Sequence, residues 1–124
     1  MKYRGKAHEK IFTSFLRGNQ QATKTQKAVV YLLSADNQLW MRSKEAIKQN
    51  EVDFEKINLS GISIAGYTLC KVAQDMQSNT THMNLYDLSD KQLVRIKIYR
   101  VIDEAIKIRR YDIKPGKEVK TWEL

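Results

Sequence analysis

The sequence predicts an all-α fold, a single compact bundle of about five helices with an extended, irregular connection at residues 50–64. Three observations lead there. Apolar residues recur at helical spacing in five separate stretches. One Pro and five Gly among 124 residues leave few positions that interrupt a helix. A chain of this length, 42% hydrophobic and 29% charged, can bury one real core without disulfide or metal staples.

The first helix is expected from Lys6 to Arg17, where His8, Ile11, Phe12, Phe15 and Leu16 share a face and Gly18-Asn19 supplies a C-terminal stop. A second runs from Thr23 to Ala35. Its end, Ala28-Val29 and Tyr31-Leu32-Leu33, is apolar almost all round, as in a helix buried between others. Asp36 is an N-cap for a third helix, Asn37 to Gln49, with Leu39, Trp40, Ser43 and Ile47 inward and Arg42, Lys44, Glu45 and Lys48 in water. From Asn50 to Ile64, apolar and polar residues nearly alternate, and Ser60-Gly61 breaks the pattern. The expectation there is a packed connection with a short strand pair.

The fourth helix begins near Ser63 or Ala65 and ends near Ser78, lined inside by Gly66, Leu69, Cys70, Ala73 and Met76. The fifth is expected from Ser89, with Gln92 completing a capping box, to about Arg110. Val94, Ile98, Val101, Ile102, Ala105, Ile106 and Ile108 form its apolar stripe, and this helix is expected at the centre of the fold. Lys97, Arg100, Asp103, Glu104, Lys107 and Arg110 make its polar face, with Arg100–Glu104 and Asp103–Lys107 spaced as i,i+4 pairs. Residues 1–112 thus read as one helical domain. Residues 113–124 read as a turn around Lys114-Pro115-Gly116-Lys117 and a tail carrying Trp122.

Charge is unevenly distributed. The net charge is +8. Residues 1–50 hold ten basic and three acidic side chains, residues 51–90 two and six, and residues 91–124 ten and five. Basic ends around an acidic middle suit a polyanionic partner such as nucleic acid; the competing reading is solubility alone. The N-terminal Lys2, Tyr3, Arg4, Lys6 and Lys10 have the composition for phosphate contact and base stacking. Residues 1–6 read equally as a disordered solubilising arm.

Catalytic and metal motifs are weak. His8-Glu9 lacks the second His of a zinc helix, and His8 shares the Phe12/Phe15 face, so it reads as a core histidine. His82 falls in a polar loop and is expected to be solvated. The lone Cys70 has apolar helical neighbours and reads as a buried, inert thiol, in keeping with a reducing compartment. Ser60-Gly61-Ile62-Ser63-Ile64-Ala65-Gly66 has neither the Lys-Ser/Thr of a P-loop nor dinucleotide-type glycine spacing. An anion at the following helix N-terminus competes with plain close packing at Gly66. The same stretch makes a poor DNA-reading helix, because its first turn brings Ile, Ala and Tyr. No enzyme activity, cofactor or metal is expected. Neither a signal peptide nor a membrane span is read, so a cytoplasmic, membrane-free protein is expected.

His8-Glu9-Lys10-Ile11-Phe12, Tyr31-Leu32-Leu33, Leu85-Tyr86-Asp87-Leu88 and Glu104 to Tyr111 stand in an order and spacing that resembles a family of small uncharacterised proteins from Firmicutes and their phages. The family is classed only as a domain of unknown function, and the likeness runs over residues 7–112. Members often carry Trp-Gln-Thr before the fourth helix, where this chain has Ile64-Ala65-Gly66-Tyr67-Thr68. The resemblance implies a phage or mobile-element context. Together these readings predict a non-enzymatic accessory protein that binds nucleic acid or a nucleoprotein through Lys2, Arg4, Lys6, Lys10, Arg100, Lys107 and Arg110. The alternative is a protein-binding inhibitor or adaptor, for example an anti-CRISPR-like protein against a host nuclease complex. Its acidic middle would mimic nucleic acid, and Trp122 would dock on the partner.

Overall fold

The computed structural model describes residues 2–113, a mostly helical fold around one core. The helices are α1 (Lys6–Gly18), α2 (Lys24–Leu33), α3 (Asn37–Ser43), α4 (Ile64–Ser78), α5 (Leu85–Leu88) and α6 (Ile96–Tyr111). A two-residue antiparallel pair, β1 (Ile47–Lys48) and β2 (Glu51–Val52), registers Ile47 against Val52. Lys44–Ala46 and Phe54–Lys56 are single 3₁₀ turns.

The centre is α2, not α6 as the periodicity of the last helix suggested. Every residue from Gln26 to Leu33 is buried, and Ala28 to Leu33 are wholly inaccessible. α4 and α6 pack on α2 most extensively, with α1 and α3 also against it. A helix surrounded in this way has no face on which to leave a polar group, so its polar residues are partnered. Gln26 donates to the Lys48 carbonyl at 2.7 Å. The buried Lys27 ammonium donates to Asp112 at 2.9 Å and to the Ile113 carbonyl at 2.6 Å, tying the end of α6 to the start of α2.

The connection at residues 50–64 is irregular as expected, with the strand Glu51–Val52, the 3₁₀ turn Phe54–Lys56 and a turn at Ser60-Gly61 before α4. It also takes residues from the helix predicted to run to Gln49. That helix stops at Ser43, and Asn50 takes a left-handed conformation (φ 69°) between the two strands. Val52 gives its N–H to the Gln77 side chain and accepts from it through its carbonyl, both at 2.8 Å, so one amide of α4 stands in for a third strand. Arg42 does not simply face water. It donates to the carbonyls of Asn58 and Ser60 at 2.8 and 2.6 Å and staples the loop to α3.

α4 has the predicted bounds. Ser63 caps it by accepting from Gly66 N, and Asn79 ends it in the left-handed region. A Cβ on Gly66 would sit 2.9 Å from Ile62 and 3.3 Å from Asp36, so the absent side chain lets α3 and α4 close together.

The start of the last helix is corrected. Ser89 closes α5, its hydroxyl donating back to Leu85 and Tyr86 carbonyls, and the capping box belongs to Asn84 and Asp87. Asp90 then holds a separate turn through the amides of Gln92 and Leu93, and Arg95 is extended, so α6 begins at Ile96. On α6, Glu104 is buried and Ile106 is 48% exposed, the reverse of their predicted sides. Leu32→Ala in α2 should lower the unfolding free energy by about 2–5 kcal/mol. Ile106→Ala should cost less than about 1 kcal/mol. Urea denaturation followed by circular dichroism measures both, and equal losses would return Ile106 to the core.

Candidate nucleic-acid interface

The N-terminal segment is docked rather than free. Tyr3 packs its ring edge-on against His8, 5.3 Å between centroids, and lies 6.0 Å from Tyr31. Phe12 meets Tyr31 at 5.2 Å in a near-perpendicular contact. The Tyr31 hydroxyl, pushed above its ordinary pKa chiefly by burial, donates to the Lys2 carbonyl. Arg4 donates to the Ala35 carbonyl and to Asp36, both at 3.2 Å, while the other Asp36 oxygen caps α3. Arg4, predicted as part of a loose arm, is therefore a tie between the chain start and the α2–α3 corner.

His8 completes the docking. The Arg4 N–H donates to Nδ1 at 2.9 Å, which leaves the ring hydrogen on Nε2 to donate to the Tyr31 carbonyl at 2.8 Å. Both ring nitrogens are satisfied only in this neutral form. Burial lowers the imidazole pKa to about 4, against the opposing pull of the Tyr31 carbonyl and with a smaller contribution from Arg4.

With Lys2 to Arg4 held in place, basic side chains from two distant segments meet. A hollow of about 340 Å³ is lined by Lys2, Tyr3, Arg4, Tyr31, Lys97, Arg100 and Val101. Beside it, a second hollow of about 650 Å³ brings together Arg4, Lys91, Arg95 and Lys97 over Ile64, Ala65, Leu93, Ile96 and Ile98. Arg4 and Lys97 line both, so the two hollows adjoin across these side chains as a trough in two parts. No carboxylate lines it among the described residues. Nor does any described acid form an ion pair with Lys91, Arg95, Lys97 or Arg100; Arg4 alone of the six basic residues is paired, with Asp36. α6 opens on this trough with no side-chain cap and no acidic residue in its first turn.

The structure thus divides the predicted residues. Lys2, Arg4 and Arg100 come together. Lys6 and Lys10 are exposed on α1 and do not line the trough. Lys107 and Arg110 belong to the other end of α6. Lys107 is neutralised by Asp103 at 3.3 Å and Glu104 at 3.6 Å, and Arg110 lies over the Tyr111 ring beside Lys24 and Arg109. The expected Arg100–Glu104 pair does not form, because Glu104 turns into the protein. Sequence reasoning passed over Lys91 and Arg95 and left Lys97 out of the site. Their signal was the dense basic run from Lys91 to Arg100, hidden by treating it as helix from Ser89. Trp122 lies outside the described residues.

The remaining candidates do not line the trough. His82 is not simply solvated. Its ring lies 2.6 Å from Asp75, whose carboxylate also accepts the His82 and Met83 amides and the Thr80 hydroxyl. Burial works against the charged Asp75, but these bonds outweigh it and hold its pKa below the ordinary value. Cys70 is buried, which pushes its thiol up to about 11. No group of three or more His, Cys, Asp or Glu among the described residues is placed to hold a metal ion. No described helix is long and apolar enough to cross a membrane. No protein-family model, curated protein or solved structure matches this chain.

His8 makes stability depend on pH in a defined direction. Its folded pKa of about 4 lies below the unfolded value of 6.5, so the unfolded chain takes up the proton first. Stability is full above pH 6.5 and falls as pH drops toward 4, by about 3 kcal/mol in all. Denaturation midpoints across that window, with the His8 imidazole followed by NMR, check it. A midpoint near 6.5 for His8 would contradict the buried neutral ring. Native Cys70 should also react slowly with a thiol reagent and rapidly after unfolding.

Proposed function

We propose that this chain is a non-enzymatic nucleic-acid-binding protein and that the trough between the docked N-terminus and the start of α6 is its contact surface. One observation carries the reading: Lys2, Arg4, Lys91, Arg95, Lys97 and Arg100 converge there with no lining carboxylate among the described residues. Concentrated cations in a concave, partly apolar setting raise the local potential that a polyphosphate backbone meets. Backbone contacts of this kind position a nucleic acid without reading its sequence. An accessory role in a phage or mobile element belongs to the same proposal and rests on the family resemblance alone.

The placement of these cations adds support. The N-terminus of a helix carries the positive end of its dipole and favours acidic side chains. α6 instead has Arg95 and Lys97 at its start and no acid in the first turn. An arrangement unfavourable to the free helix becomes favourable when an anion is bound there.

A second reading, an inhibitor or adaptor that binds a basic protein, has its own observation. Leu85 and Tyr86 on α5 are 85% and 87% exposed, the highest among the large apolar side chains of the described residues, and they lie in the acidic segment beside Asp87 and Asp90. A basic, nucleic-acid-binding surface is the partner this tip would complement.

Fluorescence anisotropy with labelled oligonucleotides over a salt series tests the first reading. Affinity should fall steeply with salt, and Arg95, Lys97 and Arg100 changed together to Gln should flatten the slope by about 2–3 in log–log terms. Lys107→Gln with Arg110→Gln should leave it nearly unchanged. Lys97→Glu should abolish binding while adding up to about 0.5 kcal/mol of stability, since it places an acid in the first turn of α6. Absence of binding at low salt rejects this reading. Capture of a basic partner that Leu85→Ser with Tyr86→Ser abolishes would favour the second.

A further inference from the structure

The trough is not lined as a purely electrostatic surface would be. Ile64 and Ile96 are 65% and 61% exposed, yet both lie among its cations. Each opens a helix, and each has a half-exposed tyrosine one turn further on. Tyr67 follows Ile64 and is 46% exposed; Tyr99 follows Ile96 and is 47% exposed. Residues three apart on a helix are neighbours, with Cβ atoms about 5–6 Å from each other. Lys71 lies over the Tyr67 ring at 5.5 Å from its centroid, so this aromatic also has a cation beside it.

Duplex and single strand ask different things of such a surface. A duplex turns its base faces inward and presents phosphate and sugar, which cations and polar groups satisfy. Large aliphatic and aromatic side chains against that backbone gain little. An unpaired strand presents both parts: phosphates for the basic walls, and exposed base faces for apolar and aromatic groups. Isoleucines between lysines and arginines, flanked by two accessible tyrosines, have the chemistry of the second case. Gln92, also lining the trough, adds an amide able to donate to or accept from a base edge.

We infer that the trough takes single-stranded nucleic acid, with phosphates on Lys91, Arg95, Lys97 and Arg100 and bases against Ile64 and Ile96, stacking on Tyr67 and Tyr99. This rests on the reading of the trough as a nucleic-acid interface and specifies which form of nucleic acid occupies it. Recognition is tolerant of sequence, because every base has a face to stack.

The test compares a labelled single-stranded oligonucleotide with its own duplex by anisotropy, at matched length and ionic strength. The single strand should bind about tenfold more tightly or better. Tyr67→Leu with Tyr99→Leu should weaken single-strand binding by about tenfold, leave duplex binding as it was and leave the salt slope unchanged, since no charge is removed. Both tyrosines are half exposed, and thermal denaturation of the variant confirms that it is folded. Equal affinity for the two forms, or tyrosine variants that bind the single strand as the parent does, overturns this inference and leaves the broader reading standing. No binding of either form at low salt removes both.

Discussion

The burial of α2 from Gln26 to Leu33 is the constraint on which the rest of the molecule depends. A helix with water on one side can leave its polar residues there. Gln26, Lys27 and the Tyr31 carbonyl have no such side, and an unmet buried polar group costs about 1–3 kcal/mol. Each draws a distant part of the chain onto α2. Gln26 holds the first strand, Lys27 holds the end of α6, and the Tyr31 carbonyl accepts His8 from α1. The order of the outer elements follows from where those partners are needed.

The same logic builds the trough. His8 reaches the Tyr31 carbonyl through Nε2, and its other nitrogen is then an acceptor that the Arg4 amide fills. Tyr3 closes over the ring, and Arg4 reaches the α2–α3 corner. Lys2 and Arg4 thereby become one wall of a site whose other wall is the start of α6. The aromatic contacts that stabilise the fold also set the position of two cations. Removing Arg4 is therefore not a clean test of charge, whereas Lys97 and Arg100, with no ion-pair partner among the described residues, are suited to one.

Where local chemistry decided a boundary, the sequence was legible. Ser63 and Asn79 bound α4 as their types suggest, and Asp36 caps α3. The nearly all-round apolar end of α2 marked a buried helix, though the longer stripe of α6 suggested a different centre. Legibility failed where two readings shared one motif. Ser89 with Gln92 fits a capping box, but Ser89 is already used to close α5, and only the preceding Asn84–Asp87 box decides between them. Helical spacing also put Glu104 with the exposed charges. In the fold it is buried, with one oxygen toward Lys107 and the other without a hydrogen-bond partner among the described residues. Of the residues lining the trough, Lys2, Arg4 and Arg100 were legible from charge as candidates. Their convergence with Lys91, Arg95 and Lys97 was not, because it depends on the docking of residues separated by most of the chain.

α6 shows why net charge alone does not locate a binding surface. Its second half, with Lys107, Arg109 and Arg110, is more basic than its first, with Lys97 and Arg100, yet those charges are largely committed. Lys107 is paired twice, and Arg109 donates to Asn79 at 3.1 Å. Cations at a helix C-terminus are also favoured by the dipole, so their presence is accounted for by stability. At the N-terminus the same residue types are disfavoured, yet Arg95 and Lys97 stand there with no acid in the first turn and no ion-pair partner among the described residues. Departures from local stability rules of this kind are expected where function, rather than folding, selects the residue. The two halves of one helix thus separate charge that folding explains from charge that it does not, and the unexplained charge faces the trough.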